Sequence, residues 1–507
     1  MGGLQSFSRA ASLGALSLFA LTGTGQSEPA QDRILTPAQI ERDVALAQKV
    51  YETVHPGYTR YSSAEQLHSA WQSINIAAAA EDGLSLGTFY VEASEVLAEI
   101  RCDHTKAELP DTLAEARKTD PVYLPFQWEM IEGRGFVTLT NAASGLQRGD
   151  ELLAIDGQPL SERIEEILPL IPYDGLTEWT RPAQVAISFE FRGGGLDHFG
   201  ALMYETLPTA ELTIKRGDDD PATVTVERVT YPDWLALGDG KTGARNFKDA
   251  VRFERIGDDA AYLAVDTFVN YRVPVNPATI YDPVFQAMKD EGRDTLIVDL
   301  RLNGGGSDDA SRGLIARLID TPAPFMRDIR VKTLDLSDVK EHLWTWDQNA
   351  LAPDPRGFTQ NPDGTYSLRP EISPSLQELT PPDLAFRGQL ILLTSRNNSS
   401  GSTHLLSFIK AQNPDAILIG ERTGGSAEGA TAGILFTLTL PESGIKMRVP
   451  AMQSFVNNNG FEFGYGMSPD TVVPETVQSF LAGNDPALDA ALALIESSRE
   501  RDPVVLK

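Results

Sequence analysis

The sequence predicts a multidomain α/β protein with a helical first part, a β-rich middle and an α/β core that extends to the C-terminus. The chain has 507 residues, far more than one hydrophobic core supports, so two or three domains are expected. Apolar residues recur at helical spacing between residues 36 and 109, which is typical of amphipathic helices. From Val251 onward short apolar strands alternate with helical segments, the pattern of a sheet covered by helices.

Composition excludes several classes of partner and site. The formal net charge is -28, and Coulomb repulsion of this size opposes binding to nucleic acid or to anionic membrane surfaces. Cys102 is the single cysteine, so neither an intrachain disulfide nor a multi-cysteine zinc site is possible. No cluster of Cys, His and Asp is recognisable in the sequence at metal-ligand spacing, and no metal site is predicted.

The N-terminus has the pattern of an export signal. Arg9 precedes an apolar stretch at residues 10–21, and small residues follow through Ser27. The stretch is too short to span a bilayer as a helix, and no second segment is long and apolar enough to do so. We therefore expect a signal peptide at residues 1–27 and a periplasmic or extracellular mature protein without an integral membrane segment. The alternative is an apolar tail or a first helix of the fold.

Two short segments carry the most chemical information. Residues 295–306 form an apolar strand that ends in an Asn-Gly-Gly-Gly turn, and residues 390–403 form a second apolar strand that ends in Asn-Asn-Ser-Ser-Gly-Ser. A glycine turn leaves backbone N–H groups unhindered, and a serine at a strand-to-helix turn exposes its hydroxyl near the positive end of the helix. Together the segments can build a serine nucleophile that faces an oxyanion hole. Taken alone, either could be a structural turn or a helix N-cap.

These segments resemble the serine peptidases that include the C-terminal processing (tail-specific) proteases and the tricorn core protease. Residues 299–306 match the family pattern Asp-x-Arg-x-Asn-x-Gly-Gly at every fixed position, and residues 400–403 align with its Ser-Ala-x-Glu nucleophile segment. Thr403 departs from the family's glutamate. Residues 466–470 are similar to the Gly-x-x-Pro-Asp closing motif. The resemblance implies a crotonase/ClpP-like catalytic core with Ser400 as nucleophile.

The resemblance also implies a histidine base. Residues 99–105 are similar to the segment in which the family's non-lysine branch carries its catalytic histidine, and this assigns the role to His104. An imidazole titrates near neutrality, so it can accept the serine proton and return it to the leaving amine. Ser426 stands where the lysine branch has its catalytic lysine, so a Ser-Lys pair is not expected. We interpret His55 as structural and expect His404 to point away from the site.

A third group should orient the histidine, and the resemblance implies Glu462, which lies in the glycine-rich segment 460–466 just before the closing motif. Asp103, adjacent to the base, and Glu428 are the alternatives. For the oxyanion hole we expect the backbone N–H groups of Gly305 and Gly401.

The middle of the chain resembles a PDZ domain. Leu-x-x-Gly-Asp at residues 146–150 and Ile-Asp-Gly at residues 155–157 are its characteristic turns, and alternating residues at 210–228 predict a closing β-hairpin. PDZ domains add a peptide strand to a sheet edge and often hold a terminal carboxylate. The module could therefore bind substrate tails or gate the active site, and the alternative is a folded spacer.

Three domains and one insertion follow from these patterns. We expect a helical N-terminal domain at residues 28–118, a PDZ-like domain at 119–235 and a catalytic domain at 245–507. Residues 322–383 are rich in proline and polar residues and are too long for an ordinary connection. We therefore expect an insertion that covers the cleft and could act as a lid.

The combined interpretation is a secreted or periplasmic serine endopeptidase whose partners are protein or peptide substrates. Ser400 attacks the peptide carbonyl, His104 transfers the proton and water releases the acyl-enzyme. No cofactor is implied. Two alternatives stay open: a noncatalytic peptide- or ligand-binding protein on the same fold, which Thr403 and Asp103 favour as departures from the family pattern, and an esterase that uses the same serine.

Overall fold

The computed structural model describes residues 30–188, 190–238, 246–458 and 460–501. The predicted signal peptide at residues 1–27 lies outside these ranges. Within them, no helix combines the length and the hydropathy needed to cross a membrane.

The first part of the chain is helical, as predicted. Its elements are β1 (Ile34–Leu35), α1 (Pro37–Val54), α2 (Ala64–Ala80), β2 (Leu84–Ser85), α3 (Leu86–Ala98), β3 (Ala107–Glu108) and α4 (Asp111–Thr119). Thr36 and Ser63 begin α1 and α2 with capping boxes, in which a hydroxyl and a glutamine side chain satisfy backbone N–H groups reciprocally. Tyr51 and Trp71 are fully buried where these two helices pack. The loop that follows α3, residues 101–105, is called the base loop below.

The middle part is a six-stranded antiparallel sheet with helices. Its elements are β4 (Phe126–Ile131), β5 (Arg134–Thr140), β6 (Glu151–Ile155), β7 (Gln158–Pro159), α5 (Leu160–Ile167), α6 (Arg181–Ala186), α7 (Gly195–Met203), β8 (Thr209–Lys215), β9 (Ala222–Glu227) and α8 (Tyr231–Leu237). The strand order is β4-β5-β6-β8-β9, with β7 paired to β6. The predicted closing hairpin is β8–β9. Between α5 and β8 the chain makes a helical excursion in which α7 packs against α3.

The last part combines a parallel and an antiparallel sheet. Its elements are β10 (Val251–Ile256), β11 (Ala260–Val265), α9 (Pro277–Asp290), β12 (Thr295–Asp299), α10 (Asp308–Ala316), β13 (Ala323–Pro324), β14 (Met326–Val331), β15 (Leu343–Trp344), β16 (Phe358–Gln360), β17 (Tyr366–Leu368), β18 (Glu378–Leu379), β19 (Gln389–Thr394), α11 (Ser400–Gln412), β20 (Ile417–Gly420), β21 (Thr431–Thr439), β22 (Lys446–Val456), β23 (Thr471–Val472), α12 (Val477–Ala482) and α13 (Pro486–Arg501).

The mostly parallel sheet brings the two informative segments together. Its order is β10-β11-β12-β19-β20-β23, and only the β10–β11 pair is antiparallel. Strands β12 and β19 are parallel neighbours with Asp299 opposite Leu393. Their carboxyl ends therefore meet at one edge of the sheet, where ligands bind in open α/β folds. The glycine turn after β12 and the serine loop after β19 lie side by side as a consequence.

The predicted insertion at residues 322–383 contains β13 to β18. Four of its strands extend the sheet β15-β21-β22-β14-β17-β16, to which β3 also pairs through β22. The insertion is thus a folded part of a sheet, and its role as a lid stays a prediction.

Candidate active site

Ser400 lies at the first position of α11, directly after the loop that follows β19. Its φ of +48° is in the left-handed region, which a residue with a side chain rarely adopts. Such strain persists only where the surroundings enforce it. Asn398 is fully buried, and its Nδ2 donates to the backbone oxygens of Leu300 (2.5 Å) and Asn303 (3.1 Å). These bonds fix the half-buried serine at the positive end of a helix.

Asn303 organises the glycine turn. Its Nδ2 donates to the backbone oxygen of Val265 (2.9 Å), and its Oδ1 accepts the N–H of Gly305 (2.8 Å). The Gly305 N–H is therefore engaged within the turn, and its role as an oxyanion donor stays a prediction.

The contribution of Gly305 is steric. Its φ is +101°, and a methyl group at this position would lie 2.9 Å from the backbone nitrogen of Gly401 and 2.9 Å from Cβ of Ser400. Only glycine leaves this space open. The Gly401 N–H, in the first turn of α11, has no intrahelical partner. The Gly306 N–H lies close by, since a methyl group on Gly401 would be 3.7 Å from the Gly306 nitrogen. Within the described residues this N–H makes no hydrogen bond.

The base loop meets the loop of residues 395–399 between β19 and α11, called the nucleophile loop below, through a carboxylate. Nδ1 of His104 lies 2.5 Å from Oδ1 of Asp103, and the Ser399 hydroxyl donates to Oδ2 of the same carboxylate. Within the described residues these two atoms form no hydrogen bond, and their contact is an ion pair when His104 is protonated. In the described part of the chain the two loops are joined in this way, and not by a hydrogen bond between Ser400 and His104.

The ion pair sets the charge of both groups. Burial favours the neutral forms, but the Asp103 carboxylate outweighs burial and raises the pKa of His104 well above its usual 6.5. Burial would likewise raise the pKa of Asp103, but the imidazolium and the Ser399 hydroxyl hold this pKa below its usual range. The charged form of His104 is therefore favoured, and the imidazole must lose this proton before it can act as a base.

Glu462 does not contact the base. It is exposed, and within the described residues its carboxylate takes part in no hydrogen bond or ion pair. Glu428 is engaged elsewhere, since its Oε1 accepts hydrogen bonds from the side chains of Arg60 and Tyr61. Of the three candidates for the third group, Asp103 is the one whose carboxylate touches the imidazole. The role of Glu462 stays a prediction.

Two other histidines have structural contacts. Nε2 of His404 accepts the backbone N–H of Ala430 (2.9 Å), and Nε2 of His55 lies 2.9 Å from the Thr105 hydroxyl. Burial lowers the pKa of both histidines to about 3. They are neutral at physiological pH and occupied by neighbours in the core.

Charged residues around the glycine turn brace it. Arg301 donates to the carboxylate of Asp299 (2.7 Å) and to that of Asp485 at the start of α13 (2.6 Å). Tyr262 donates to Asp299 from the neighbouring strand (2.7 Å). These bonds tie the end of β12 to a helix and a strand, so Asp299 and Arg301 support the turn.

The sequence shows no sign of a buried carboxylate beside this centre. Asp174, from the excursion between α5 and α6, is 2% exposed, and its Oδ2 accepts the N–H and the hydroxyl of Ser426 (2.8 and 2.6 Å). Burial and the charge of Asp103 raise the pKa of Asp174 to about 7. Because 252 residues separate the partners, no local pattern could reveal the pair.

One group of possible metal ligands exists in the described ranges. Ligand atoms of Cys102, Asp103 and His104 all lie within 4.8 Å of one another. The thiol, however, donates to the backbone oxygen of Thr431 (3.3 Å), and the other two side chains are paired with each other. These contacts occupy the donor atoms within the protein.

Comparisons with known proteins agree with this architecture. Residues 259–473 match the family model of peptidase family S41, and residues 120–235 match that of a PDZ domain. By sequence the chain matches none of the curated proteins.

Solved structures of CPAF have a similar fold. Mature CPAF in complex with lactacystin has a TM-score of 0.64 at 16% identity, over 92% of this chain and 99% of that chain. A serine-to-alanine variant of CPAF has a TM-score of 0.66 at 14% identity, over 93% of this chain and 99% of that chain. The photosystem II D1 C-terminal processing protease has a TM-score of 0.41 at 14% identity, over 86% of this chain and 93% of that chain.

The class of protein follows from the family matches and the fold. Residues 259–473 match a peptidase family S41 domain, a PDZ match precedes them at residues 120–235, and the chain is a serine peptidase. The family resemblance and the fold class predicted from the sequence are thereby confirmed.

Proposed function

We propose that the chain is a secreted or periplasmic endopeptidase that cleaves peptide bonds through an acyl-enzyme on Ser400. His104 removes the serine proton, and Ser400 Oγ attacks the carbonyl carbon. The oxyanion of the tetrahedral intermediate accepts hydrogen bonds from the N–H groups of Gly401 and Gly306, in the space that Gly305 leaves open. His104 then protonates the leaving amine, and water hydrolyses the ester by the reverse sequence.

The observation that carries the proposal is the link between the two loops. Ser399 precedes the nucleophile, Asp103 precedes the base, and these two neighbours are hydrogen-bonded. The link holds Ser400 and His104 on adjoining loops although their sequence positions are distant. Because Nδ1 of His104 faces Asp103, Nε2 is the nitrogen left to accept the serine proton.

The orienting carboxylate in this proposal is Asp103. It contacts the imidazole, stabilises its charged form and is itself held by Ser399. The family resemblance assigns the same role to Glu462. The pH profiles of kcat/KM for Asp103→Asn and Glu462→Gln distinguish between the two carboxylates.

The finer features of the function rest on sequence patterns. The export signal at residues 1–27 supports a location outside the cytoplasm. The PDZ match at residues 120–235 supports a domain that binds or gates substrate tails.

Labelling with a fluorophosphonate probe tests the nucleophile and the base together. The purified mature protein should react, whereas Ser400→Ala and His104→Ala should not, and only the wild type should cleave casein. Ser73→Ala and His68→Ala are matched controls because both residues are exposed on α2, and they should keep wild-type labelling. A folded wild type that neither labels nor cleaves would contradict the proposal and favour the noncatalytic binding protein.

A further inference from the structure

A short segment of the middle part reaches three loops that lie beside the catalytic centre. This segment comprises residues 174–180, which lie between α5 and α6 and end directly before α6. Asp174 binds Ser426, as described above. Ser426 belongs to the loop of residues 422–426 that follows β20, called the support loop here. This contact joins the middle part to the surroundings of the nucleophile.

The support loop backs the nucleophile directly. The N–H groups of Gly424 and Gly425 both donate to the backbone oxygen of Asn398 at 2.8 Å. A methyl group on Gly425 would lie 3.0 Å from the backbone nitrogen of Ser400. A displacement of the support loop therefore moves the strained serine.

The next two residues of the segment, Gly175 and Leu176, bind the base loop and the segment that contains Glu462. The Gly175 N–H donates to the backbone oxygen of Arg101 in the base loop (2.9 Å), and the Leu176 N–H donates to that of Gly464 (2.7 Å). Gly464 lies in the segment that contains Glu462. Gly175 has a φ of +62°, and a methyl group there would lie 2.5 Å from the Gly464 oxygen. The close approach thus requires glycine.

A cluster of one arginine and two aromatic rings anchors the far end of the segment. The Arg422 guanidinium lies 4.5 Å from the ring centre of Trp179 and 4.7 Å from that of Tyr465. A cation close to two aromatic rings is attracted by both. The segment is thereby attached to the support loop at both of its ends.

We propose that Asp174, Gly175 and Leu176 are positioning residues of the peptidase: they hold the support loop, the base loop and the Glu462 segment in the register that the reaction needs. The inference rests on the proposed catalytic roles of Ser400 and His104. It assigns a mechanical role to three consecutive residues of the middle part that touch no substrate. Their effect reaches the reacting atoms through Ser426, Arg101 and Gly464.

The test compares three variants by steady-state kinetics on one peptide substrate. Asp174→Ala removes both bonds to Ser426 and should lower kcat by about 10- to 100-fold with KM within about twofold, since small misplacements of reacting groups have effects of this size. Asp174→Asn keeps an oxygen that can accept both bonds and should retain kcat within about threefold. Asp218→Ala, an exposed carboxylate of the same domain, should behave as the wild type.

A double-mutant cycle tests whether Asp174 affects kcat through its contact with Ser426. Ser426→Ala removes the hydroxyl bond, and its effect on kcat should not multiply with that of Asp174→Ala, because the two residues act through one contact. Gly175→Ala is the second variant should Asp174→Ala fail to fold, and it should lower kcat by about 10-fold or more. Unchanged kcat in folded Asp174→Ala or Gly175→Ala would overturn the inference, as would full multiplicativity in the cycle. A wild type that does not react with the fluorophosphonate would instead contradict the proposed function.

Discussion

At the scale of single residues, the charge state of His104 has a measurable consequence. The Asp103 carboxylate raises the pKa of His104, so the fraction of neutral base grows with pH on the alkaline side. We expect kcat/KM to rise through this pKa. Asp103→Asn removes the ion pair, so the rising limb should move down by about one pH unit or more, and the plateau should fall by about 100-fold or more.

Glu462→Gln is the matched control for this pH profile. Glu462 makes no described contact with the base, so the variant should keep the wild-type limb and plateau. A shifted limb in Glu462→Gln together with an unchanged profile in Asp103→Asn would assign the orienting role to Glu462 instead.

Gly305 gives a second prediction for a single residue. Gly305→Ala places a methyl group 2.9 Å from the Gly401 nitrogen, in the space proposed for the oxyanion. We expect kcat to fall by about 100- to 1,000-fold, as for the loss of an oxyanion donor, measured on a peptide substrate. The exposed turn glycine Gly217, where a methyl group meets nothing within 4 Å, is the control as Gly217→Ala. Wild-type activity of Gly305→Ala would contradict the proposed oxyanion hole.

At the scale of elements, the ends of β12 and β19 depend on one buried amide. Asn398 donates to the backbone oxygens of Leu300 and Asn303, and its Oδ1 accepts the Ser395 N–H (2.8 Å). Asn398→Ala leaves these buried groups unpaired and should lower the free energy of unfolding by about 2 to 4 kcal/mol. Urea denaturation measures the change. The exposed neighbour Asn397 is the control as Asn397→Ala, and equal stability of both variants would contradict this account.

The elements also show why some predictions succeeded. The strand-turn at residues 295–306 and the strand-to-helix turn at Ser400 are defined by local chemistry, since apolar runs, glycines and a serine follow one another in the chain. The bonds that complete the site join distant parts. Asp174 meets Ser426 across 252 residues, and Asp103 meets Ser399 across 296. Such pairs depend on how the domains pack, and no periodicity encodes them.

The same reasoning explains which features of the site the sequence leaves undecided. The resemblance identified the glycine turn, but the choice of donor within it depends on the Asn303 side chain, which takes the Gly305 N–H. The position of Glu462 depends on the fold of a loop that packs against Tyr61 through Phe463. Thr403, the departure from the family pattern, is buried and donates to the backbone oxygen of Asn398 (3.0 Å), so its role is to hold the nucleophile loop.

At the scale of the whole molecule, the PDZ domain is joined to the catalytic part at several points. Arg396 of the nucleophile loop donates to the backbone oxygen of Met130 in β4 (3.0 Å). Phe480 of α12 packs against Phe136 of β5, with 5.9 Å between ring centres. A ligand on the PDZ domain therefore lies on a body that contacts the nucleophile loop.

Substrate tails provide the corresponding prediction. If the PDZ domain holds a terminal carboxylate, a peptide with a free C-terminus should have a lower KM than its amidated form, by about 10-fold for one charge-assisted set of bonds. The kinetics of a matched pair of peptides measure the difference. Equal KM values for the two forms would exclude carboxylate capture and leave a spacer or gating role for the domain.

The central claim is that Ser400 carries the acyl group, and mass spectrometry of the labelled protein tests it most directly. After reaction with a fluorophosphonate, proteolytic peptides of the wild type should carry one adduct, on Ser400, and Ser400→Ala should carry none. An adduct on Ser399 or Ser402, or the same adduct in Ser400→Ala, would contradict the account.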